Sequence, residues 1–403
     1  MAGPFMHSPS EALLIRYGEL GLKGANRPEF EKALANNLRV ALAGVPDLLV
    51  RRIRGRILVT GQARAREMAA AARKVFGITS LSPARVVEPN EEAILAAAAE
   101  MTAEAVAREY PGDQPISFKV EVNRADKRFP VGSVEIARRA GARLISKESR
   151  LFVDLHEPEL RVGVDIRPEG CYVFAGRDEA PGGLPVTTTG RVHCLLSGGF
   201  DSPVAAWLCM KRGMRVDFIS FYSFPYVGPQ TREKILQLAE KLTEWQPKSM
   251  LHIVPFSAYQ EAIRDHCDPR YRTVLYRRAM QRIASIISRR RKGKALVTGE
   301  SVGQVASQTL ENMRLIEGAS NLPVLRPLVT YDKVEVIDLA REIGTYDLSN
   351  LPAPDCCTVF QPAHPVIHGH LKDVEESEAK IDIGQLTYDA VQGTERISLL
   401  HQT

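Results

Sequence analysis

The stretch VHCLLSGGFDSPVAAWLCMKRG, residues 192–213, decides the fold. Its opening run, VHCLL, suits a strand covered on both faces. Ser197-Gly198-Gly199-Phe200-Asp201-Ser202-Pro203 follows, and the rest reads as a helix. Pro203 fits an early helical position, where a missing N–H costs nothing. Strand, glycine turn and helix in this order make an anion cradle. The glycines let the backbone come close to a phosphate, and the helix start offers free N–H groups and the positive end of its dipole. Ser197 and Ser202 add hydroxyls, and Asp201 is placed to hold Mg2+ beside a departing pyrophosphate. The lysine of a G-x-x-x-x-G-K-[ST] loop is absent, so this is not a Walker A site.

Outward from that stretch the chain repeats the same grammar. Strand VDFISFY precedes helix TREKILQLAEKLTEW, and strand MLHIVPF precedes helix YRRAMQRIASIISRRR. Strand ALVTGES and helix VEVIDLAREIG complete the series. Strands alternating with helices of this length predict a doubly wound parallel sheet, whose ligands sit beyond the carboxyl ends of the strands. Upstream, 177–190 is rich in glycine, proline and threonine and reads as a linker. Before it, EALLIRY, an amphipathic helix FEKALANNLRVAL and RGRILVTG suggest a small α+β unit over 1–72. Two alanine-rich helices, then ISFKVEVNR, SVEIARRAGARLI, LFVDL and RVGVDIRPEGCYVFAG, suggest a second over 73–177. The expected domains are therefore 1–72, 73–177 and 178–403.

The turn SGGFDS resembles the PP-loop of ATP pyrophosphatases, which cleave ATP between its α and β phosphates. Further segments narrow the likeness. RYGELGLKGANRPEF, FKVEVNRADKRFPVGSVEIARRAG, TGESVGQVASQTLENM, RPLVTYDKVEVIDLAREIGTYD and DCCTVF, in that order, resemble the tRNA 4-thiouridine synthetase family, the ThiI-type tRNA sulfurtransferases. The likeness runs from about residue 11 to about 370. It implies an α/β fold in which a PP-loop domain follows ferredoxin-like and THUMP domains. It also implies an enzyme that adenylates a uridine of tRNA, uridine 8 in this family, and replaces O4 with sulfur. ATP and Mg2+ are the implied cofactors.

Matching positions imply the nucleotide contacts. These are Leu195 and Leu196 at the strand end; Ser197, Gly198, Gly199, Asp201 and Ser202 in the turn; and Ser220 and Phe221 on the adenine side. Arg277, Gly299 and Gln308 complete the set. A glycine after ALVT would let ATP approach the backbone. Lys333 would bring positive charge to the phosphates or the adenylate. Asp201 is the implied metal ligand.

The sulfur carrier falls in PAPDCCTVF. A thiolate or persulfide is a strong nucleophile, and loops presented by a rigid sheet are usual places for chemistry. Alignment without a gap from Ile343-Gly344-Thr345 selects Cys356, whereas alignment on Val359 selects Cys357; Cys356 is preferred. Cys194 and Cys209 lie in apolar elements and read as core. His364, His368 and His370 fit no familiar zinc spacing. Some relatives continue into a rhodanese-like domain with a second sulfur-carrying cysteine. This chain ends too soon for one, so sulfur is expected from a partner, a cysteine desulfurase or another persulfide donor. The family's link to thiamine synthesis, tied to that domain, is left open.

Residues 73–177 resemble a THUMP RNA-binding module. Lys119, Arg124, Lys127 and Arg128 cluster in its middle, and Arg138, Arg139 and Arg143 lie on the next helix. Such cations contact phosphates and set register. The whole chain carries 53 Lys+Arg against 48 Asp+Glu, a net charge of +5. All of that excess lies before residue 178, which is compatible with a polyanionic partner. No apolar run is long enough to span a bilayer and no export signal is evident, so the cytoplasm is expected and no membrane partner. A homodimer is left open. Rival readings are another PP-loop reaction, such as 2-thiouridine formation or amide transfer, and an RNA-binding scaffold with a spent ATP site. The RNA-binding half and the Cys-Cys loop argue against the first, the intact SGGFDS against the second.

Overall fold

The structure is a computed structural model that describes residues 11–354, 356 and 359–401. The chain forms two compact units that divide between Gly183 and Leu184.

The first unit is built on one mixed sheet. Its strands are β1 (Glu11–Tyr17), β2 (Leu49–Ile53), β3 (Arg56–Thr60), β4 (Ile78–Val87), β5 (Ile116–Arg124), β6 (Leu151–Val153), β7 (Leu160–Arg167), β8 (Gly170–Ala175) and β9 (Asp178–Glu179). They lie in the order β2-β3-β1-β4-β8-β7-β5-β6, with β9 beside β4. Helices α1 (Arg27–Ala41), α2 (Ala65–Ala72), α3 (Glu91–Glu109) and α4 (Ser133–Lys147) complete the unit. The long run RVGVDIRPEGCYVFAG, read as one strand, is a hairpin, β7 and β8. Gly170 makes the return with φ +151°, a conformation that side chains avoid. β4 couples the two halves of the sheet, pairing β1 through Ile15–Leu81 and β8 through Arg85–Val173. The stretch read as linker begins as sheet: β9 pairs with Ser80 and Leu81, and the Gly77 N–H donates to the Gly182 carbonyl.

The second unit carries β10 (Arg191–Leu195), α5 (Asp201–Lys211), β11 (Arg215–Tyr222), α6 (Pro229–Thr243), β12 (Lys248–Pro255), α7 (Ser257–His266), α8 (Arg272–Arg290), β13 (Ala295–Val297), α9 (Leu310–Glu317), β14 (Val324–Leu325), α10 (Lys333–Glu342), α11 (Tyr346–Asn350), α12 (Leu371–Glu378), α13 (Ile383–Gln392) and β15 (Glu395–Leu400). Sheet order is β14-β13-β10-β11-β12-β15, parallel from β14 to β12. The expected parallel sheet is present, and its order reverses direction beside β10, the switch point where such folds open a crevice. β15 adds an antiparallel edge along β12. Central strands are buried on both faces: Val192, Cys194, Val216, Phe218, Ile219, Leu251 and Leu296 are all below 5% exposed. That explains why they read as continuous apolar runs rather than alternating ones.

Candidate active site

The sequence motif closes on itself through its second serine. Ser202 Oγ accepts from the Ser197 N–H at 2.8 Å and lies 3.1 Å from Ser197 Oγ. The preceding strand end is fixed by the Leu196 N–H donating to the Ile219 carbonyl at 2.8 Å. α5 starts at Asp201 with no side-chain cap, so its first-turn N–H groups are left for a ligand or water. This turn is one wall of a cavity of about 570 Å3, lying beyond the carboxyl ends of β10, β11 and β13.

The cavity collects the nucleotide contacts expected from the sequence. Leu195, Leu196, Ser197, Gly198, Gly199, Asp201, Ser202, Ser220, Phe221, Arg277, Gly299 and Gln308 all line it. Gly299 differs in its reason. A Cβ there would lie 2.5 Å from the Asp201 carbonyl carbon and 2.6 Å from the Ser202 nitrogen. The close approach that this glycine permits is that of the SGGFDS turn to the end of β13, where the sequence suggested approach of a ligand. Gln308 is 6% exposed and its Oε1 accepts no hydrogen bond within the described protein.

Charge is arranged in two small networks. Asp201 Oδ1 accepts from Lys333 Nζ at 2.8 Å, and Oδ2 from Gln304 Nε2 at 3.3 Å. Lys333 opens α10, fixed by the capping box of Asp332 and Glu335, and its ammonium stands 5.4 Å from the centre of the Phe200 ring. The second network centres on Glu300, 5% exposed, which sequence reading did not single out. It accepts from Arg277 at 2.8 Å, Arg326 at 2.8 Å and Thr298 at 2.9 Å. Three donors satisfy a carboxylate that burial alone would penalise. Arg277 therefore reaches the cavity from a braced position. No group of three or more His, Cys, Asp or Glu side chains able to hold a metal occurs among the described residues. His368 pairs instead with Glu311 at 3.3 Å.

Cys356 lines the same cavity and is 7% exposed. Cys357 lies outside the described residues. Burial raises the thiols of the other described cysteines: those of Cys171 and Cys209 are pushed up to about 12, that of Cys194 well above its usual value, and that of Cys267 upward. Sequence reasoning also missed the residues that hold the cysteine segment. Gln260 donates to the Cys356 carbonyl, Thr231 to that of Pro354, and Lys234 to those of Ser349 and Leu351. Their only signal is a burial pattern that requires the three-dimensional fold.

In the first unit the expected RNA-contacting cations are mostly paired. Arg138 and Arg139 bind Glu135, Arg139 also binds Glu91, and Arg143 binds Glu92. Arg128 pairs with Asp126 at 2.8 Å, and Lys119 stands 3.5 Å from Glu121. Arg124 donates to the carbonyls of Phe129 and Val131. Lys127 makes no ion pair among the described residues. A separate cleft of about 650 Å3 is lined by Arg66, Arg73, Arg108, Arg161 and Arg177. Arg66 and Arg73 have no ion-pair partner among the described residues.

A PP-loop α/β domain with a cysteine across its cavity, preceded by an α+β unit, defines the class. Residues 187–383 match the family described as thiamine biosynthesis protein (ThiI), residues 12–82 the ThiI ferredoxin-like domain, and residues 88–175 the THUMP domain. A protein of Brevibacillus brevis named "Probable tRNA sulfurtransferase" is 43% identical over 386 residues, covering 96% of this chain and 95% of that one. The chain also resembles a crystal structure of a 4-thiouridine synthetase–RNA complex with bound ATP. The TM-score is 0.87 at 34% identity, over 96% of this chain and 99% of the other. PH1313 from Pyrococcus horikoshii matches at TM-score 0.65 and 26% identity, over 83% and 99%. The chain belongs to the ThiI-type tRNA sulfurtransferase family and is an enzyme of that class. Among the described residues no helix is long and apolar enough to cross a membrane.

Proposed function

We propose that this chain thiolates tRNA in two half-reactions within the one cavity. The observation that carries the reading is the placing of Cys356 and the phosphate turn around the same space of about 570 Å3. The relative of known structure binds ATP and RNA together, which supports the same pair of substrates here.

In the first half-reaction ATP lies with its phosphates on Ser197–Ser202 and its base between the Ser220–Phe221 edge and Gln308. The orphan Gln308 Oε1 suits an exocyclic amine donor such as that of adenine. Uridine O4, at position 8 of tRNA, attacks the α-phosphorus and expels pyrophosphate, leaving O4-adenylated uridine. Lys333 balances the charge that develops on the phosphates. Asp201 fits Mg2+ as its one protein carboxylate; bound with ATP, the ion would offset the charge of the leaving group.

In the second half-reaction a persulfide on Cys356, loaded by a cysteine desulfurase or another persulfide donor, attacks C4 through its outer sulfur. AMP departs and a Cys–S–S–C4 link remains. A second thiol, with Cys357 as the sequence candidate, attacks the Cys356 sulfur and frees 4-thiouridine. An external thiol reduces the resulting disulfide. A tRNA substrate implies the cytoplasm.

The test separates the halves. Cys356→Ser is expected to retain tRNA-dependent pyrophosphate release, because adenylation needs no thiol, and to form no 4-thiouridine from a persulfide donor. Normal thiolation by the variant would refute Cys356 as the carrier. If only Cys357→Ser fails, the two cysteines exchange roles.

A further inference from the structure

We propose that Gln260 is a positioning residue for sulfur transfer, acting through the backbone of Cys356, with Thr231 and Lys234 completing the same latch. The inference rests on the reading of Cys356 as sulfur carrier.

The segment from Ser349 to Cys356 presents an unusual anchoring problem. Residues 351–354 have no regular structure, and Pro352 and Pro354 have no N–H. Such a backbone must be gripped largely by its carbonyls, and α6 and α7 supply donors alone. Gln260 Nε2 donates to the Cys356 carbonyl at 2.8 Å and Thr231 Oγ1 to the Pro354 carbonyl at 2.9 Å. Lys234 Nζ donates to the carbonyls of Ser349 and Leu351, each at 2.8 Å. Four carbonyls within eight residues are thus held by three side chains, one of them a buried ammonium, whose hydrogen bonds are the stronger kind.

The latch also registers the cysteine against the phosphate turn. A Cβ on Gly198 would lie 3.3 Å from Lys234 Cε, so the lysine stem runs directly beside the turn. Ser349 Oγ reaches the Gly199 carbonyl at 3.4 Å. The side chain that holds the Cys356 carbonyl is Gln260, at 2.8 Å; the same oxygen also accepts from the Val359 N–H at 3.3 Å. The Gln260 amide is fully buried, and its Oε1 has no partner among the described residues, so its hydrogen bond to the cysteine is what the polar group accomplishes there. A glutamine buried at the cost of an unsatisfied oxygen would give way to an apolar residue if packing alone were required. Among the described residues Gln260 makes no hydrogen bond to Ser197, Asp201, Ser202 or Lys333, and its amide donates to the Cys356 carbonyl. Its loss should therefore displace the sulfur while leaving the adenylating groups in place.

The test uses the full chain with unmodified tRNA transcript, ATP and Mg2+. Gln260→Leu keeps the bulk and removes the donor. Expected are pyrophosphate release within about twofold of the parent, and KM values for ATP and tRNA unchanged. The kcat for 4-thiouridine from glutathione persulfide should fall about tenfold to a hundredfold, the scale of a misplacement near 1 Å. Sodium hydrosulfide, which bypasses the cysteine, should thiolate the adenylated tRNA equally well in parent and variant. Equal losses of pyrophosphate release and thiolation would show a merely structural role and overturn the proposal, as would an unchanged kcat with the persulfide. Thiolation falling equally with hydrosulfide would overturn it too. Should Gln260→Leu fail to fold by thermal melt, Thr231→Val, which removes the Pro354 anchor, is read by the same split. Absence of pyrophosphate release from the parent with tRNA would refute the reading of the site itself; a parent that releases it normally and a variant without the split refute the latch alone.

Discussion

Gly299→Ala adds a single methyl group against the phosphate turn, and the structure fixes what it meets. The new carbon would lie 2.5 Å from the Asp201 carbonyl carbon, 2.6 Å from the Ser202 nitrogen and 2.8 Å from the Asp201 oxygen. All three are backbone atoms, so no side chain can swing away. Ordinary contact between carbons begins near ~3.5 Å, so strand end and helix start must part by about 1 Å. Overpacking of this kind costs about 1–3 kcal/mol. The displaced group is the first turn of α5, which carries Asp201, and Ser202, which closes the turn on Ser197. A shift near 1 Å in groups that align reacting atoms costs about a hundredfold in rate. We therefore expect tRNA-dependent pyrophosphate release to fall by roughly that factor while urea unfolding shows a protein still folded. Release unchanged from the parent would refute the reasoning, because the turn would then tolerate a separation that the geometry says must disturb it.

Two further outcomes follow from charge. His193 is fully buried between β11 and β13, its Nδ1 3.0 Å from Ser288 Oγ and its Nε2 4.0 Å from Asp217. Burial, with His252, Arg191, Arg291 and Arg215 nearby, pushes its pKa down from 6.5 to about 3. The unfolded chain thus takes up a proton below pH 6.5 that the folded chain refuses until about pH 3, and stability present above pH 6.5 is lost as pH falls through that window. The loss approaches about 1.4 kcal/mol per pH unit; urea midpoints for His193→Gln should show a shallower acid decline, and an identical decline would count against it. In the first unit, Arg66→Ala with Arg73→Ala should lower the salt dependence of tRNA binding by about 1 to 2 in log–log slope. Arg138→Ala with Arg139→Ala, already paired with glutamates, should change it less, and the reverse ranking by filter binding would return RNA contact to α4.

What was legible in the sequence, and what was not, follows from the range of the interactions involved. SGGFDS between a strand and a helix is local chemistry, and the structure builds the cavity wall from it. The strands VHCLL and VDFISFY were readable because central parallel strands are apolar throughout. β2, β4 and β15 were not read: LVRRI and ERISLL alternate with charge, and Ile78–Val87 contains Pro83. β4 and β15 pair with strands distant in sequence, β1 and β12, and β2 is an edge strand held only by its hairpin with β3, so sheet context decides all three. The paired state of Arg138, Arg139 and Arg143 was equally out of reach. Glu135 is visible at helical spacing, but Glu91 and Glu92 come from α3, forty-eight or more residues away. Glu300, Lys234 and Gln260 share that limit, since their roles exist only where separate elements converge.

The pairing of Asp201 with Lys333 resolves an apparent conflict at the centre of the site. A carboxylate beside a polyphosphate cradle should repel its ligand, and a free lysine there should hold its product too tightly. At 2.8 Å each neutralises the other in the described structure, and Gln304 holds the second carboxylate oxygen. Both side chains remain partly solvated, at 25% and 43% exposure, so the pair is weak enough to be rearranged. On the proposed reading, a polyphosphate arriving with its cation would offer a second set of partners: lysine to phosphate, carboxylate to metal. Charge is balanced before and after, and the exchange requires no buried ion to stand alone. Removing either partner leaves the other free to bind the wrong thing. By this argument Asp201 and Lys333 act as one unit, and the loss from removing both should fall well short of the product of the two single losses.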